Sequence, residues 1–206
     1  MAQFKQKAIA ATAVANPHAV SDGKDMEDVI WYFAYGANMA PHGPAGRLIR
    51  PRRQVGARLD GYTLRFTHPG MPPLEPVFAN IEPCPGGVVH GVACLITAAE
   101  AGMLDSLEID YARRPVRVGL HTCEQVTAYA YVSTIPCSES IPSARYLALL
   151  IAGARRYHLP ESLISRWEQI QAQAPRAPTR TIFASPAWPA PVREKPDHRP
   201  LTPTRR

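Results

Sequence analysis

Cysteine is scarce in this chain, with only Cys84, Cys94, Cys123 and Cys137 among 206 residues. None form a CxxC pair, and none lie at zinc-finger spacing from a histidine, which argues against a structural zinc site and a disulfide framework. A free-thiol, cytoplasmic protein is the plain expectation. No apolar run reaches the roughly 18 residues that a membrane-spanning helix needs, so no membrane partner is expected. The GxSxG, HExxH and phosphate-loop patterns are missing too. The seven histidines are scattered, and none forms a visible nucleophile–base set with a cysteine or serine.

Proline, by contrast, is abundant and unevenly placed. Of 22 prolines, eight fall between Pro175 and Pro203. Residues 175–206 carry seven basic residues against Glu194 and Asp197, a net +5 of the chain's formal +6. The pI of about 9.4 therefore describes a tail and not a binding face, and nucleic acid is not expected as a ligand. Residues 1–27 read as a flexible leader that ends in Asp22, Asp25 and Glu27, with Asp28 next to them. Its run from Ala8 to Ala15 behind Lys5 and Lys7 is too weak and alanine-rich to favour a secretion signal. The expected organisation is a leader at 1–27, a folded body at 28–174 and a flexible proline-rich basic tail at 175–206. With 46% hydrophobic residues, the body can bury a sizeable core.

Within the body, Val29-Ile30-Trp31-Tyr32-Phe33 has the β-branched and aromatic character of a buried strand. Pro41, Gly43, Pro44 and Gly46 exclude a long helix over residues 39–53. The stretch from Arg58 to Phe66 reads as a strand broken by an Asp60-Gly61 turn, and the prolines of residues 69–76 predict a loop. Val77–Glu82 and Val88–Ile96 read as strands separated by a Pro85-Gly86-Gly87 turn. Thr97 and Glu100 stand at capping-box spacing and predict a helix start, with Ala101, Leu104 and Leu107 on its inner side. Val116–Leu120 and Val126–Val132 alternate as neighbouring strands. A helix opens at Pro142-Ser143 and ends at Gly153 or near His158. Another starts at Leu159-Pro160-Glu161 and carries Leu163, Ile164, Trp167 and Ile170 at helical spacing. Many strands with late helices give an α+β class.

Two stretches carry chemistry. In Tyr35-Gly36-Ala37-Asn38 a strand runs into a glycine turn, where consecutive N–H groups can cradle an anion or an oxyanion, and Asn38 can add a side-chain donor. An ordinary tight turn is the alternative. Glu108 stands one turn after Leu104 at the end of a core-facing helix. A carboxylate there has its charged form disfavoured and can serve as a general base near neutral pH. A solvated glutamate, or a partner for Arg113 or Arg114, is the alternative. Asp105 and Asp110 cluster with it, but no nearby histidine completes a ligand set, so no metal is expected. Tyr129 and Tyr131 share one strand face, and with Tyr146 they are either cavity tyrosines or core tyrosines.

These residues together resemble the γ-glutamylcyclotransferase superfamily, from about Tyr32 to about Trp167. Phe33–Met39 is similar to its aromatic-Tyr-Gly-Ser-Asn signature, and Leu59–Phe66 to the segment that follows. Ala79–Pro83 and Val89–Val92 resemble its middle strands. Leu104–Glu108 with Tyr111 resembles the segment holding its catalytic glutamate, and Pro142–Tyr146 with Gly153-Ala154 its C-terminal helix region. The resemblance implies a small mixed β-barrel flanked by helices, acting as a monomer or homodimer. It implies a cofactor-free reaction on a small-molecule γ-glutamyl amide that releases 5-oxoproline, with Glu108 as general acid/base. Tyr35, Gly36, Ala37, Asn38, Tyr131 and Tyr146 would then bind substrate. Other readings are a related amide-cleaving enzyme of a specialised pathway and a catalytically silent binding module. Ala37 departs from the family's serine, and Ile109 from a glycine that many members carry.

Overall fold

The computed structural model describes residues 28–174; the leader expected at 1–27 and the tail expected at 175–206 lie outside the described residues. Strand β1 (Val29–Ala34) leads into two short 3-10 turns, Ala37–Met39 and Pro44–Arg47. Two long strands follow, β2 (Arg53–Met71) and β3 (Glu75–Thr97), then helix α1 (Ala98–Leu107). Strands β4 (Tyr111–Leu120) and β5 (Gln125–Ser133) precede helices α2 (Ala144–Arg156) and α3 (Glu161–Gln173). The strands close into a barrel in the order β1-β3-β2-β4-β5. Most pairs are antiparallel; the parallel contact of Trp31 and Tyr32 with Ala128 and Tyr129 closes the ring. The α+β class and the small mixed barrel flanked by helices are as expected.

The long β2–β3 ribbon differs from the expectation of several short strands. Asp60-Gly61 is not a turn: the strand continues through it, with a register shift between Asp60 and Tyr62 and Gly61 at φ +79°. Pro85-Gly86-Gly87 lies opposite that shift and also stays within β3. The loop expected over residues 69–76 shrinks to residues 72–74, because Pro69 pairs with Val77 and Met71 with Glu75. Long-range pairing thus overrides local turn chemistry, with bulges absorbing the residues that do not fit. A second shift places Phe66 and Thr67 opposite Ala79 alone, between the pairs Arg65–Asn80 and His68–Phe78.

The helices flank the barrel. Thr97 and Glu100 form the expected capping box, with Glu100 N–H donating to Thr97 Oγ1 at 3.0 Å and Thr97 N–H to Glu100 Oε2 at 2.9 Å. Ala101 and Leu104 are buried as expected, but Leu107 is exposed, because the helix ends there beside an open cavity. Ser143 caps α2 by accepting the Tyr146 N–H at 3.0 Å, which fixes Tyr146 on the helix's first turn. The helix runs through Gly153, whose missing side chain makes room for Met39: an added Cβ would stand 2.6 Å from Met39 Cβ. Pro160 sits at the N-cap of α3, one place ahead of the first turn expected for it. Trp167 and Ile164 of that helix are buried.

Candidate active site

A cavity of about 550 Å3 opens between the end of β1, the tip of the β2–β3 hairpin, the end of α1 and the start of α2. Tyr35, Gly36, Ala37, Asn38, Glu108, Tyr131 and Tyr146 all line it. The chain therefore brings together, from four elements, every residue singled out above for catalysis or substrate binding. Tyr129 is not among them: it is exposed on the outside of β5, whereas Tyr131 is buried.

Glu108 is the C-cap of α1, and its N–H still donates to Leu104 at 2.9 Å. Asn38 reaches it across the cavity wall, donating from Nδ2 to Glu108 Oε1 at 2.5 Å and to Tyr32 Oη at 3.1 Å. The Ala45 N–H donates to Asn38 Oδ1 at 3.1 Å, which sets the end of the amide that faces Glu108. The Asn38 amide, expected to bind substrate, is thus engaged with Glu108, Tyr32 and Ala45. Burial pushes the Glu108 carboxyl up to about 7, against the pull of the Asn38 hydrogen bond. The negative end of the α1 dipole acts in the same direction as burial. Asp105 does not join Glu108 in the expected cluster, because Arg113 pairs with it (Nε to Oδ1, 2.5 Å) and Tyr131 Oη donates to it at 2.9 Å. The Tyr131 hydroxyl is therefore engaged beside α1.

Burial, reinforced by the charge of Glu108, raises Tyr32, Tyr35, Tyr111 and Tyr146, so all four keep their protons. Tyr35 donates to the Tyr131 carbonyl. Tyr111 donates to the Ala79 carbonyl at 2.8 Å, while the Ala79 N–H donates to Tyr146 Oη at 3.0 Å. Ala79 is the residue without a cross-ladder partner at the second β2–β3 register shift, and two cavity tyrosines satisfy its backbone. The nearby Ala37 backbone also faces this oxygen and favours its charged form. A hydroxyl has one proton and two lone pairs. With the Ala79 N–H on one lone pair, Tyr146 has its proton left for a ligand oxygen.

The turn at Gly36 has a physical basis other than backbone freedom. Its φ of −118° is open to any residue, but an added Cβ would stand 3.1 Å from Tyr146 Oη. Glycine therefore lets the turn approach that hydroxyl. Tyr32, Tyr111, His68 and Glu75 also line the cavity and were not singled out from sequence. Tyr32 and Tyr111 sit inside stretches already marked, and hydroxyls beside a buried carboxylate were the available signal. His68 directly precedes, and Glu75 lies inside, the stretch that reads as a loop, where nothing in the sequence points inward.

The arrangement supplies one buried carboxylate with a proton affinity suited to neutral pH, and hydroxyl donors around it. Such a site can move a proton to and from a substrate that brings its own nucleophile. Residues 32–148 match the family model described as Gamma-glutamyl cyclotransferase, AIG2-like. The chain is 29% identical over 168 residues to Gamma-glutamyl cyclotransferase aclK of Aspergillus oryzae, a match covering 69% of this chain and 61% of that protein. The match thus spans about three fifths of the length of that curated relative. Solved structures of the same fold include uncharacterized protein loc79017 from Homo sapiens, at 23% identity and TM-score 0.60, over 75% of this chain and 92% of that one. A gamma-glutamyl cyclotransferase structure gives the same identity and TM-score over 76% and 95% of the two chains.

Proposed function

Since this chain belongs to the gamma-glutamyl cyclotransferase, AIG2-like family, we propose that it releases 5-oxoproline from a small γ-glutamyl amide, with Glu108 as the general acid/base. The observation that carries this reading is the Glu108 carboxyl, buried in the cavity wall and raised to about 7. Near neutral pH such a group accepts a proton from the substrate's α-ammonium and can give it back. The freed amine attacks the γ-carbonyl carbon and closes a five-membered ring, a step favoured by proximity within one molecule. The Tyr146 hydroxyl donates to the carbonyl oxygen as it gains negative charge. The bond to the leaving nitrogen then breaks. Over the whole reaction the α-nitrogen gives up two protons and the leaving nitrogen gains two, and Glu108 passes them in turn, ending as it began. The scheme uses no metal or cofactor.

The turn at Tyr35–Asn38 supports the scheme in two ways. It lets the Gly36 backbone approach the Tyr146 hydroxyl and brings the Asn38 amide to Glu108, so one short segment touches both the proton donor and the proton carrier. The test is direct. Chromatographic detection of 5-oxoproline from a panel of γ-glutamyl amino acids and amines should find turnover with the unaltered protein. Glu108→Gln should lower kcat by about 10²–10⁴-fold while the fold is kept. Near-normal turnover in that variant would remove Glu108 from the mechanism.

A further inference from the structure

The cavity is larger than a γ-glutamyl group requires. At about 550 Å3 it falls in the range of roughly 300–1,000 Å3 typical of pockets that bury a drug-sized ligand. Its buried lining, around Tyr35, Glu108 and Tyr146, belongs to the chemistry proposed above. Its exposed lining has a different character. Met71 at the β2–β3 hairpin, Ile109 after α1 and Ile135 after β5 are 73%, 72% and 46% exposed, and all three line the cavity. Apolar side chains from three separate elements thus converge on one rim, with Phe78 and Leu149 continuing the apolar wall inward.

One cation stands on the same rim. Arg145 lines the cavity with its side chain 74% exposed, and its Nη2 contacts Glu75, whose side chain is only 4% exposed. The Ser143 hydroxyl donates to the other oxygen of Glu75. The contact from Arg145 is an ion pair out of line for a hydrogen bond, since Glu75 Oε1 has none. A buried, doubly held carboxylate therefore tethers one nitrogen of the guanidinium. The rest of the fork stays free at the mouth, suited to a planar anion such as a carboxylate.

We propose that this rim is a leaving-group subsite that selects an amino acid with a large apolar side chain. That side chain covers Met71, Ile109 and Ile135, and its carboxylate meets Arg145. The inference rests on the reaction proposed above and names the amine that departs. Ile109 and Arg145 are then specificity-determining residues, Ile109 for the side chain and Arg145 for the carboxylate.

Three compounds separate these features: γ-glutamyl-phenylalanine, γ-glutamyl-serine and γ-glutamyl-phenethylamine, the last lacking the carboxylate. The unaltered protein should favour the phenylalanine compound over each of the others by about tenfold or more in kcat/KM. Ile109→Ser should shrink the phenylalanine-to-serine ratio and leave the phenylalanine-to-phenethylamine ratio in place. Arg145→Gln should do the reverse. If Arg145→Gln fails to fold once Glu75 loses its counter-charge, Arg145→Lys keeps the charge without the fork and should weaken the second ratio in part. Calorimetric binding of the same compounds to Glu108→Gln reads the subsite without turnover, and the same order of affinity is expected. Equal affinities there, or a serine compound turned over as well as the phenylalanine one, would overturn the subsite while leaving 5-oxoproline release standing. Ordered binding with no 5-oxoproline from any compound would instead overturn the reaction and keep the subsite.

Discussion

Replacing Glu108 by glutamine should make the protein more stable above neutral pH, and the gain can be worked from the structure. A glutamate carboxyl ordinarily loses its proton near 4.5, whereas burial in the cavity wall holds the Glu108 proton to about 7. Between those values the folded chain binds a proton that the unfolded chain has released. Stability rises with pH only where the unfolded state binds more protons, so here it falls as pH rises through the window from about 4.5 to 7. One tenfold step in proton affinity is worth about 1.4 kcal/mol, so the loss reaches about 3 kcal/mol above neutral pH. Glutamine keeps an oxygen that can accept from Asn38 Nδ2, but it has no charge to desolvate. Urea unfolding of both proteins at pH 4.5, 6 and 8 measures the difference, and other titrating groups cancel between the two curves. The variant should match the parent at the lowest pH and exceed it by about 3 kcal/mol at the highest. Parallel profiles would mean that Glu108 titrates like a solvated carboxylate, and the physical case for a neutral-pH base would fail.

Other consequences can be checked separately. The kcat/KM profile for a γ-glutamyl substrate should rise with pH through about 7, as Glu108 loses its proton. Asn38→Ala should move that rise to higher pH, because the amide's hydrogen bond favours the charged carboxylate. Tyr146→Phe leaves the Ala79 N–H without its acceptor. It should destabilise by about 1–3 kcal/mol if that group finds no new partner, read by urea unfolding, and should lower kcat. Gly153→Ala forces a Cβ to 2.6 Å from Met39 Cβ; a loss of about 1–3 kcal/mol in urea unfolding is expected from such overpacking.

Elements whose signals are local were legible in the sequence. The capping box at Thr97 and Glu100 and the Ser143 cap need only the residues of one helical turn, and both formed as read. Strands β1, β4 and β5 declared themselves by composition and alternation. The β2–β3 ribbon did not, because Asp60-Gly61, the prolines near residue 70 and Pro85-Gly86-Gly87 are turn formers when read locally. Their pairing partners stand up to a few tens of residues away, and only the partner strand shows that they are bulges or ladder positions. The same reason hid His68 and Glu75, and it hid the Ala79 backbone that anchors two cavity tyrosines. Asn38 reads as a donor in the sequence, but its partner is not legible there: Glu108 lies 70 positions on.

The Asn38–Glu108 contact shows what closing the barrel does for the chemistry. Glu108 comes from a helix end, where a side chain could turn to solvent, and Arg113, the partner considered for it, is held instead by Asp105. The carboxylate faces the cavity because the Asn38 amide is already oriented, with its oxygen held by the Ala45 N–H of the second 3-10 turn. That turn has Pro44 at its first position and a buried Ala45. The proton affinity of Glu108 is therefore set jointly by burial and by a short segment far away in sequence. Ala37, where the family pattern has serine, touches a different part of this machinery. Its backbone faces the Tyr146 hydroxyl, as the backbone of any residue there would. The change removes a hydroxyl from the cavity wall and leaves both the donor geometry and the base intact, so its effect should fall on which substrate is held and not on how the proton moves.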